Sequence, residues 1–283
     1  MAVDKLVDST QLDADLTSVA NAIRTKGGTS ADLAFPAGFV SAVNAIPTGG
    51  GIDVDDLVEH AIPQGAIEFN SATVIPRYQF ESCVNIVSIN SSTVEEIREY
   101  AFYDCEGLED INLPNLTVLR NASVTNPNTN SNGYFFQYCY KLKKIHFPKL
   151  LNMYGNYGFA DCGTSTDAGM IVVLPKIVNL GVRAFRQCKC SDIDLGEDLS
   201  GILTDTFYNG TYGNLILRGQ NVVPAATTNA IGGCTDVYVP AALIESYKAA
   251  TNWSTKYAAG TLTFHAIEGS QYENYYADGT PIT

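Results

Sequence analysis

The sequence predicts an α/β fold that leans to mostly β, in which about seven short-strand coils form a solenoid behind a small two-helix N-terminal module. Three observations support this fold class. Phenylalanine and cysteine recur three residues apart through the middle of the chain, an alternating apolar triplet follows each pair, and two short amphipathic segments precede the first copy. Such a frame is typical of repeat proteins, because each unit buries its apolar face against its neighbours.

The repeat is marked by a Phe-x-x-Cys pair, and successive copies begin 22 to 34 residues apart. Five copies are complete and two are weaker: Phe80/Cys83, Phe102/Cys105, Phe136/Cys139, Phe159/Cys162, Phe185/Cys188, Phe207/Gly210 and Ile231/Cys234. A period near 22 residues is too short for a pair of helices and fits one short strand with a return path. We therefore expect the phenylalanines and cysteines to point into the core and neighbouring coils to stack.

The seven cysteines are an odd number, so they cannot all pair in intramolecular disulfides. The chain has neither a Cys-x-x-Cys pair nor a cysteine and histidine cluster with zinc spacing. A narrow slot that recurs in every coil explains the pattern, because an unpaired cysteine packs as a small hydrophobe. Cys190 also fits this core, and a Cys188–Cys190 bridge is the remaining alternative. The sequence thus predicts no metal site and no cofactor.

Each coil is expected to contribute one strand whose flanking residues face the core and whose middle residue faces outward. The triplets begin at Val87, Ile111, Ile145, Val172, Ile193, Leu215 and Val237. Two columns of residues are expected to face outward: the middle residues of the triplets, and the residues just before each triplet. We call these two columns the strand face, and we predict that it is the contact surface, because faces of solenoids commonly bind partners. The candidate binding residues on this face are Asp110, Lys144, His146, Asp192, Asp194, Asp236 and Tyr238.

The predicted domain organisation has four parts. They are a helical attachment module with a glycine-rich linker (1–51), a cap or lead-in strand (52–77), the solenoid with its C-terminal cap (78–265) and a Tyr-rich tail (266–283). Two insertions, Asn121–Asn132 and Gly163–Gly169, lengthen individual coils. We expect the tail to form a final strand or to dock on the solenoid. A surface that contacts a sugar or a protein is the alternative, because tyrosine offers contact area at low entropic cost.

The pattern Ala-Phe-x-x-Cys-x-x-Leu-x-x-Ile-x-Leu-Pro, clearest at residues 101–114, resembles the BspA-like leucine-rich repeats of bacterial and protist surface proteins. The resemblance covers residues 78–265 and implies a leucine-rich-repeat solenoid. The stretch from Val237 through Trp253 is similar to the C-terminal cap of that family. A cap is physically required, since the last coil would otherwise leave its apolar face open.

The N-terminal part is predicted to contain two helices. Apolar residues from Leu12 to Ile23 recur at helical spacing, Gly27-Gly28 ends this helix, and a second is expected from Pro36 to Ala45. These stretches resemble a short N-terminal module on tail and other structural proteins of phages and prophages of Gram-positive hosts. The resemblance implies a virion component that joins other tail proteins through the helices.

The chain is acidic, with 30 Asp and Glu against 17 Lys and Arg and a formal net charge of −13. Nucleic acids and anionic membrane surfaces need clustered Lys and Arg, so this balance argues against both partners. Residues 1–12 contain no apolar core segment, and the densest apolar run, Met170–Leu174, is too short to span a bilayer. We therefore expect a protein made in the bacterial cytoplasm without a signal peptide and without membrane insertion.

No catalytic motif is present, so the chain is not expected to be an enzyme. Patterns for nucleophile elbows, P-loops, dinucleotide sites, EF-hands and zinc proteases are all missing from the sequence. A glycosidase needs two carboxylates at a defined separation. Asp192 and Asp194 share a coil face, whereas Asp110 and Asp236 lie coils away; in an acidic protein such carboxylates are usually solvated.

These observations predict a non-enzymatic phage or prophage tail-associated protein that presents a leucine-rich-repeat surface to a host-cell receptor, either a glycan or a protein. Its location would be the virion. A bacterial surface adhesin with the same repeats is the main alternative and would require an export signal or a wall anchor. A tail protein that degrades glycans is a third candidate. No heptad pattern specifies an oligomer, so a homo-oligomer stays an open alternative.

Overall fold

The fold was analysed in a computed structural model, which describes residues 17–21, 65–121, 131–219, 223–227 and 229–282. The chain separates into two compact units, residues 1–64 and 65–283. In the first unit residues 17–21 are helical and Ala20 is buried. The remainder of the predicted two-helix module and residues 122–130 of the first insertion lie outside the described residues.

The second unit is built on a parallel sheet. Within the described residues this sheet has nine strands, in the order β1 (Gly65–Phe69), β3 (Ile86–Ser91), β5 (Asp110–Asn112), β7 (Lys144–His146), β9 (Met170–Leu174), β10 (Lys189–Leu195), β12 (Thr211–Leu217), β14 (Asp236–Val239) and β15 (Thr263–Ala266). Every neighbouring pair is parallel. The chain therefore returns to the same side once per coil, and the predicted mostly-β solenoid of about seven coils is confirmed. β1 precedes those seven strands and β15 follows them.

The return paths carry shorter strands and the C-terminal helices. A second parallel sheet contains β2 (Val74–Ile75), β4 (Glu96–Arg98), β6 (Val118–Arg120) and β8 (Asn152–Tyr154), and β11 (Gly201–Ile202) pairs with β13 (Ala225–Ala226). A 3₁₀ helix (Ala241–Leu243), α1 (Ile244–Ala249) and α2 (Trp253–Ala258) connect β14 to β15. Tyr247 and Trp253 are fully buried, and the Trp253 indole donates to the Pro224 carbonyl at 3.1 Å. The helices thus supply apolar side chains to the C-terminal end of the core.

The core contains a stack of phenylalanine rings, one from each of the first six coils. The rings belong to Phe80, Phe102, Phe136, Phe159, Phe185 and Phe207, all of which are buried. Adjacent rings lie 5.0 to 5.9 Å apart, with interplanar angles of 4° to 11°. Since hydrogen-bonded strands are ~4.8 Å apart, the ring stack and the backbone ladder favour the same coil spacing. The predicted inward position of these phenylalanines is confirmed.

All seven cysteines belong to the described part of the chain, and all are buried and free. The predicted core slot is confirmed, and the alternative bridge between Cys188 and Cys190 is not formed. The structure adds a reason for cysteine at this position. The thiol of Cys105 donates to the Phe80 carbonyl of the preceding coil at 3.0 Å, and Cys162 and Cys188 donate in the same way at 3.0 and 2.8 Å.

Cys139 occupies the same slot as the other repeat cysteines. Its side chain is 0% exposed and forms no disulfide, so its predicted place in the core is confirmed. The Cys139 thiol nevertheless donates to the Phe102 carbonyl of the preceding coil at 3.4 Å, a longer contact than those of Cys105, Cys162 and Cys188. The cysteine at this position is therefore a hydrogen-bond donor as well as an apolar filler, and apolar packing alone does not describe its role.

The thiol in this slot completes the hydrogen bonding of a buried carbonyl. The Phe80 oxygen already accepts the Cys83 amide at 3.1 Å, and the Cys105 thiol reaches its second acceptor position. Burial raises the pKa of the Cys162 thiol well above its ordinary value, and it raises the pKa of Cys234 to about 12. Both groups therefore stay protonated at neutral pH, and a protonated thiol can donate. In four coils the slot thus combines a small side chain with a donor to the carbonyl of the preceding coil.

The coil that lacks this cysteine provides a donor in another way. Gly210 occupies the cysteine position, and Tyr212 directs its hydroxyl into the slot and donates to the Phe185 carbonyl at 2.5 Å. A side chain at Gly210 would overlap the Tyr212 ring. The glycine and the tyrosine together replace one thiol.

The predicted strand register is wrong in the first coil. Ile89 of β3 pairs with Ile111 of β5, so the core triplet begins at Ile89 and not at Val87. Val87, which was expected in the core, is 43% exposed. The same six-residue step from the cysteine to the first core residue, as from Cys105 to Ile111 and from Cys139 to Ile145, identifies the correct register in this coil.

Candidate binding surfaces

The strand face, predicted as the contact surface, is partly covered by the C-terminal tail. Residues 267–282 contact side chains on β7, β10, β12 and β14. Val173, Asp194 and Ile216 of the middle column are 0% exposed. The expectation that this column faces solvent is therefore wrong at these three positions. The docked form of the tail, one of the two expected arrangements, is the one that the structure shows.

A buried ion pair holds the tail to the sheet. Arg218, at the end of β12, donates to both carboxylate oxygens of Asp194 at 2.7 Å and to the backbone carbonyls of Tyr272 and Tyr275 at 2.9 Å. The Ala277 amide donates to the same carboxylate at 3.0 Å. Burial raises the pKa of Asp194, and the hydrogen bonds from Arg218 and Ala277 act in the opposite direction. Asp194 was a candidate ligand residue, but its carboxylate is occupied by the tail and by Arg218.

The neighbouring candidates also make contacts within the chain. The Tyr272 hydroxyl donates to Asp192 at 2.6 Å, and the Tyr238 ring packs against Tyr272 with centroids 4.8 Å apart. Asp236 is hydrogen-bonded to His265 of β15 at 2.8 Å, and this bond lowers the pKa of Asp236. The two carboxylates considered for glycoside hydrolysis, Asp192 and Asp194, are therefore both hydrogen-bonded to the tail.

The far end of the tail is held by Asp278. Its carboxylate lies 2.7 Å from the Lys144 ammonium and 2.9 Å from the His146 ring nitrogen Nδ1, and the Asp278 side chain is 1% exposed. Burial acts to raise the pKa of Asp278, but hydrogen bonds from Lys144 and Thr280 dominate and lower the pKa to about 2. The docked tail therefore favours the ionised carboxylate.

Acidification is expected to release the end of the tail. Because the docked pKa of Asp278 is about 2 and lies below the ordinary 3.8, its stabilisation is complete above the ordinary pKa and is lost as the pH falls toward 2. Pepsin cleavage within residues 267–282 should rise steeply over this window. Asp278→Asn should remove that pH step, and an unchanged step in the variant would contradict the assignment.

Part of the strand face remains open. A groove of about 510 Å³ lies over β3, β5 and β7, and its polar lining consists of Ser88, Asn90, Asp110, Asn112, Lys144 and His146. Three of the seven candidate residues, Asp110, Lys144 and His146, thus line one groove. Lys144 and His146 are at the same time partners of Asp278.

A second surface was not predicted from the sequence. Tyr78, Tyr100, Tyr134 and Tyr157 form a stack across successive coils, with ring centroids 4.9 to 5.2 Å apart. Beside this stack is a groove of about 480 Å³, which we call the tyrosine groove. It is lined by Tyr100, Tyr103, Tyr134, Gln137, Tyr138, Tyr157, Asp161, Arg186 and Gln187.

The sequence signal for this surface is a tyrosine two residues before the core phenylalanine in four consecutive coils, from Tyr78 to Tyr157. These tyrosines have φ between 45° and 60°, in the left-handed region. In later coils Asp205 and Asn229 take the same turn conformation, with φ of 55° and 63°. Asp and Asn tolerate the left-handed region better than bulky residues do. The turn alone therefore does not account for the choice of tyrosine.

The tyrosine groove combines aromatic rings with polar groups. Gln137 donates to the Asp161 carboxylate at 3.2 Å. Burial raises the pKa of Asp161, and the bond from Gln137 opposes that shift. Burial also raises the pKa of Tyr100, Tyr103 and Tyr134, so these phenols remain protonated at neutral pH. The groove thus offers hydroxyl donors, a carboxylate, a guanidinium and amides next to aromatic edges.

Two further observations concern the residues that the structure describes. Among them, no three His, Cys, Asp or Glu side chains come together in an arrangement suited to a metal ion. The helices in this part of the chain are also too short or too polar to cross a membrane.

Comparison with known proteins identifies the family. Residues 66–168 and 129–222 match the family described as BspA type leucine rich repeat region, in six copies. The search of curated proteins gives no match. Among solved structures, a leucine rich cell surface protein from Faecalibacterium prausnitzii A2-165 is 13% identical, with 73% of this chain and 80% of that chain covered and a TM-score of 0.22. The family match spans more than half of the chain and includes the tyrosine groove and every cysteine slot except that of Cys234. This protein therefore belongs to the BspA type leucine-rich-repeat family.

Proposed function

We propose that this protein is a non-enzymatic phage or prophage tail-associated protein that binds a receptor on the host cell through the tyrosine groove. The observation that carries the proposal is the groove itself, in which five tyrosines from three consecutive coils surround about 480 Å³ beside Asp161 and Arg186. Tyrosine provides a large amphipathic contact area at low entropic cost. A solenoid core that fixes the coil spacing supplies the rigid support that a binding site needs.

The tyrosine groove is a better candidate than the strand face. On the strand face Asp192, Asp194 and Tyr238 contact other parts of the chain, and Lys144 and His146 hold Asp278. A ligand at these positions would compete with the tail. The tail does not supply any of the side chains that line the tyrosine groove.

Receptor binding can be tested with Tyr138→Ala. We expect binding of the purified full chain to Gram-positive host cells to weaken about tenfold or more, because an aromatic contact in the middle of the groove is removed. Tyr275→Ala is the matched control, since the Tyr275 side chain lies on the tail and is 50% exposed. Equal cell binding by wild type and Tyr138→Ala, with unchanged thermal unfolding, would overturn the assignment of the groove.

The association with a phage tail rests on the resemblance of the N-terminal segment. Deletion of residues 1–51 should abolish incorporation into particles while the solenoid keeps its β-rich circular dichroism spectrum. Normal incorporation of the truncated chain would refute the attachment role. Recovery of the full chain in the cell-wall fraction and not in particles would favour the alternative, a bacterial surface adhesin.

A further inference from the structure

We infer that the tyrosine groove binds a linear, uncharged glycan whose chain runs along the solenoid axis. This inference rests on the proposed receptor-binding function and specifies the chemical class of the receptor. Four properties of the groove support it: its repetition along the axis, the chemistry of its lining, the charge of its lining, and the pairing of its backbone.

The groove repeats along the axis. Its lining comes from four successive coils, represented by Tyr100, Tyr134, Tyr157 and Arg186. The stacked tyrosines recur every 4.9 to 5.2 Å. A surface that presents similar groups at a constant interval is complementary to a ligand with a short chemical repeat. A linear polysaccharide has such a repeat, whereas a folded protein surface generally does not.

The lining suits sugar hydroxyls and sugar C–H groups. Gln137, Gln187, Asp161 and Arg186 have planar ends that can donate to, or accept from, two neighbouring hydroxyls at once. The tyrosines provide apolar ring edges together with phenol hydroxyls. A pyranose ring exposes the same combination, since its C–H groups and its hydroxyls alternate around the ring.

The charge of the lining favours a neutral ligand. Asp161 is the acidic group of the groove and Arg186 is the basic group, so the lining has no excess of either sign. The chain as a whole carries a formal charge of −13. A polyanion would therefore be repelled at long range and would meet a single cation in the groove.

The backbone of the groove wall disfavours an extended peptide. Strand addition requires free backbone donors and acceptors at an edge. Here the Asp104 amide donates to the Gln137 carbonyl at 2.8 Å, and the Tyr138 amide donates to the Ala160 carbonyl at 3.2 Å. Because these groups are already paired between coils, recognition must use side chains, as in binding to a glycan.

The test is a binding measurement on the full chain with linear neutral oligosaccharides of increasing length, purified neutral cell-wall polysaccharides, and poly(glycerol phosphate) as the anionic comparison. We expect affinity to increase with oligosaccharide length until the groove is filled, and to depend little on salt. Poly(glycerol phosphate) should bind more weakly than neutral chains of similar length. Stronger binding to the anionic polymer, or no binding to any neutral glycan, would overturn the inference.

Variants locate the binding to the groove. Tyr103→Ala and Asp161→Asn should each weaken glycan binding about tenfold. Tyr103→Phe keeps the ring and removes only the hydroxyl, so it should retain the fold and lose less affinity than Tyr103→Ala. Tyr275→Ala, on the tail, should bind as the wild type does. Equal loss in Tyr275→Ala, or no loss in Tyr103→Ala, would refute the assignment.

A separate experiment distinguishes failure of this inference from failure of the proposed function. Periodate oxidation of the host cells destroys glycan diols and leaves most protein receptors intact. Loss of cell binding after oxidation is the expected result. If oxidised cells still bind the wild type but not Tyr138→Ala, the receptor-binding function stands and the glycan inference is overturned.

Discussion

Arg218→Ala is expected to release the C-terminal tail and to lower the free energy of unfolding by about 3–5 kcal/mol, the usual cost of leaving a buried charge without its partner. The variant removes both hydrogen bonds to Asp194, whose side chain is 0% exposed. It also removes the donors to the Tyr272 and Tyr275 carbonyls, which are the backbone contacts between Arg218 and the tail. The tail would then keep its apolar contacts around Ile216, the bond from Tyr272 to Asp192, and the pairing of Asp278 with Lys144 and His146.

The measurements are urea unfolding of the full chain and amide hydrogen exchange over residues 267–282. Lys248→Ala is a suitable control, because its exposed partner Glu245 makes a surface pair worth at most ~1 kcal/mol. The double variant Arg218→Met with Asp194→Leu should be less destabilised than Arg218→Ala, since no charge remains buried. Unchanged amide protection of the tail in Arg218→Ala would show that the ion pair does not hold it.

Phe136→Ala is expected to lower the free energy of unfolding by about 3–5 kcal/mol, as for other fully buried phenylalanines. Phe136 lies between Phe102 and Phe159, with ring centroids 5.1 and 5.0 Å away. The cavity would interrupt the stack in the middle of the solenoid, where each coil is stabilised by its two neighbours. Relaxation of the backbone is restricted, because the Phe136 amide donates to the Gly158 carbonyl of the next coil.

Thermal and urea unfolding of Phe136→Ala and Phe136→Leu would measure this effect. The leucine variant retains most of the volume and should lose much less stability than the alanine variant. A loss below about 1 kcal/mol in Phe136→Ala would mean that the stack contributes little beyond filling space. Tyr208→Ala, at a position where the residue is 39% exposed, provides the surface comparison.

The sequence predicted the solenoid because its signal is local and repeated. The step from phenylalanine to cysteine lies within one coil, so it can be recognised from a short stretch of sequence. Each further copy supports the same repeat frame. The predicted position of the apolar triplet is wrong in the first coil, where the step from Cys83 to Ile89 equals the six-residue step of the next two coils. In the first three coils, therefore, the step from the cysteine is a better guide to register than apolar character.

The candidate site was harder to predict, because the decisive contacts join distant parts of the chain. Ala277 and Asp194 are 83 residues apart, and Asp278 and His146 are 132 apart. Strand alternation correctly placed Asp110 and Lys144 on the outward face, but it contains no information about a tail that covers the middle column. The tyrosine groove has a sequence signal, the Tyr-x-Phe pair. Apolar periodicity does not reveal this signal, because it identifies side chains that point into the core, whereas these tyrosines point away from it.

The docked tail also fixes the number of coils. In a linear stack each unit contacts only its neighbours, so gain or loss of one coil changes little elsewhere. Here Asp278 must reach Lys144 on β7 while Arg218, beyond β12, holds Asp194 on β10. An extra coil between β7 and β12 would shift these anchors by one strand spacing, ~4.8 Å, and no single tail length would satisfy both ends. Repeat number can vary freely only before β7, so the C-terminal half has a defined length while the N-terminal half can change by whole coils.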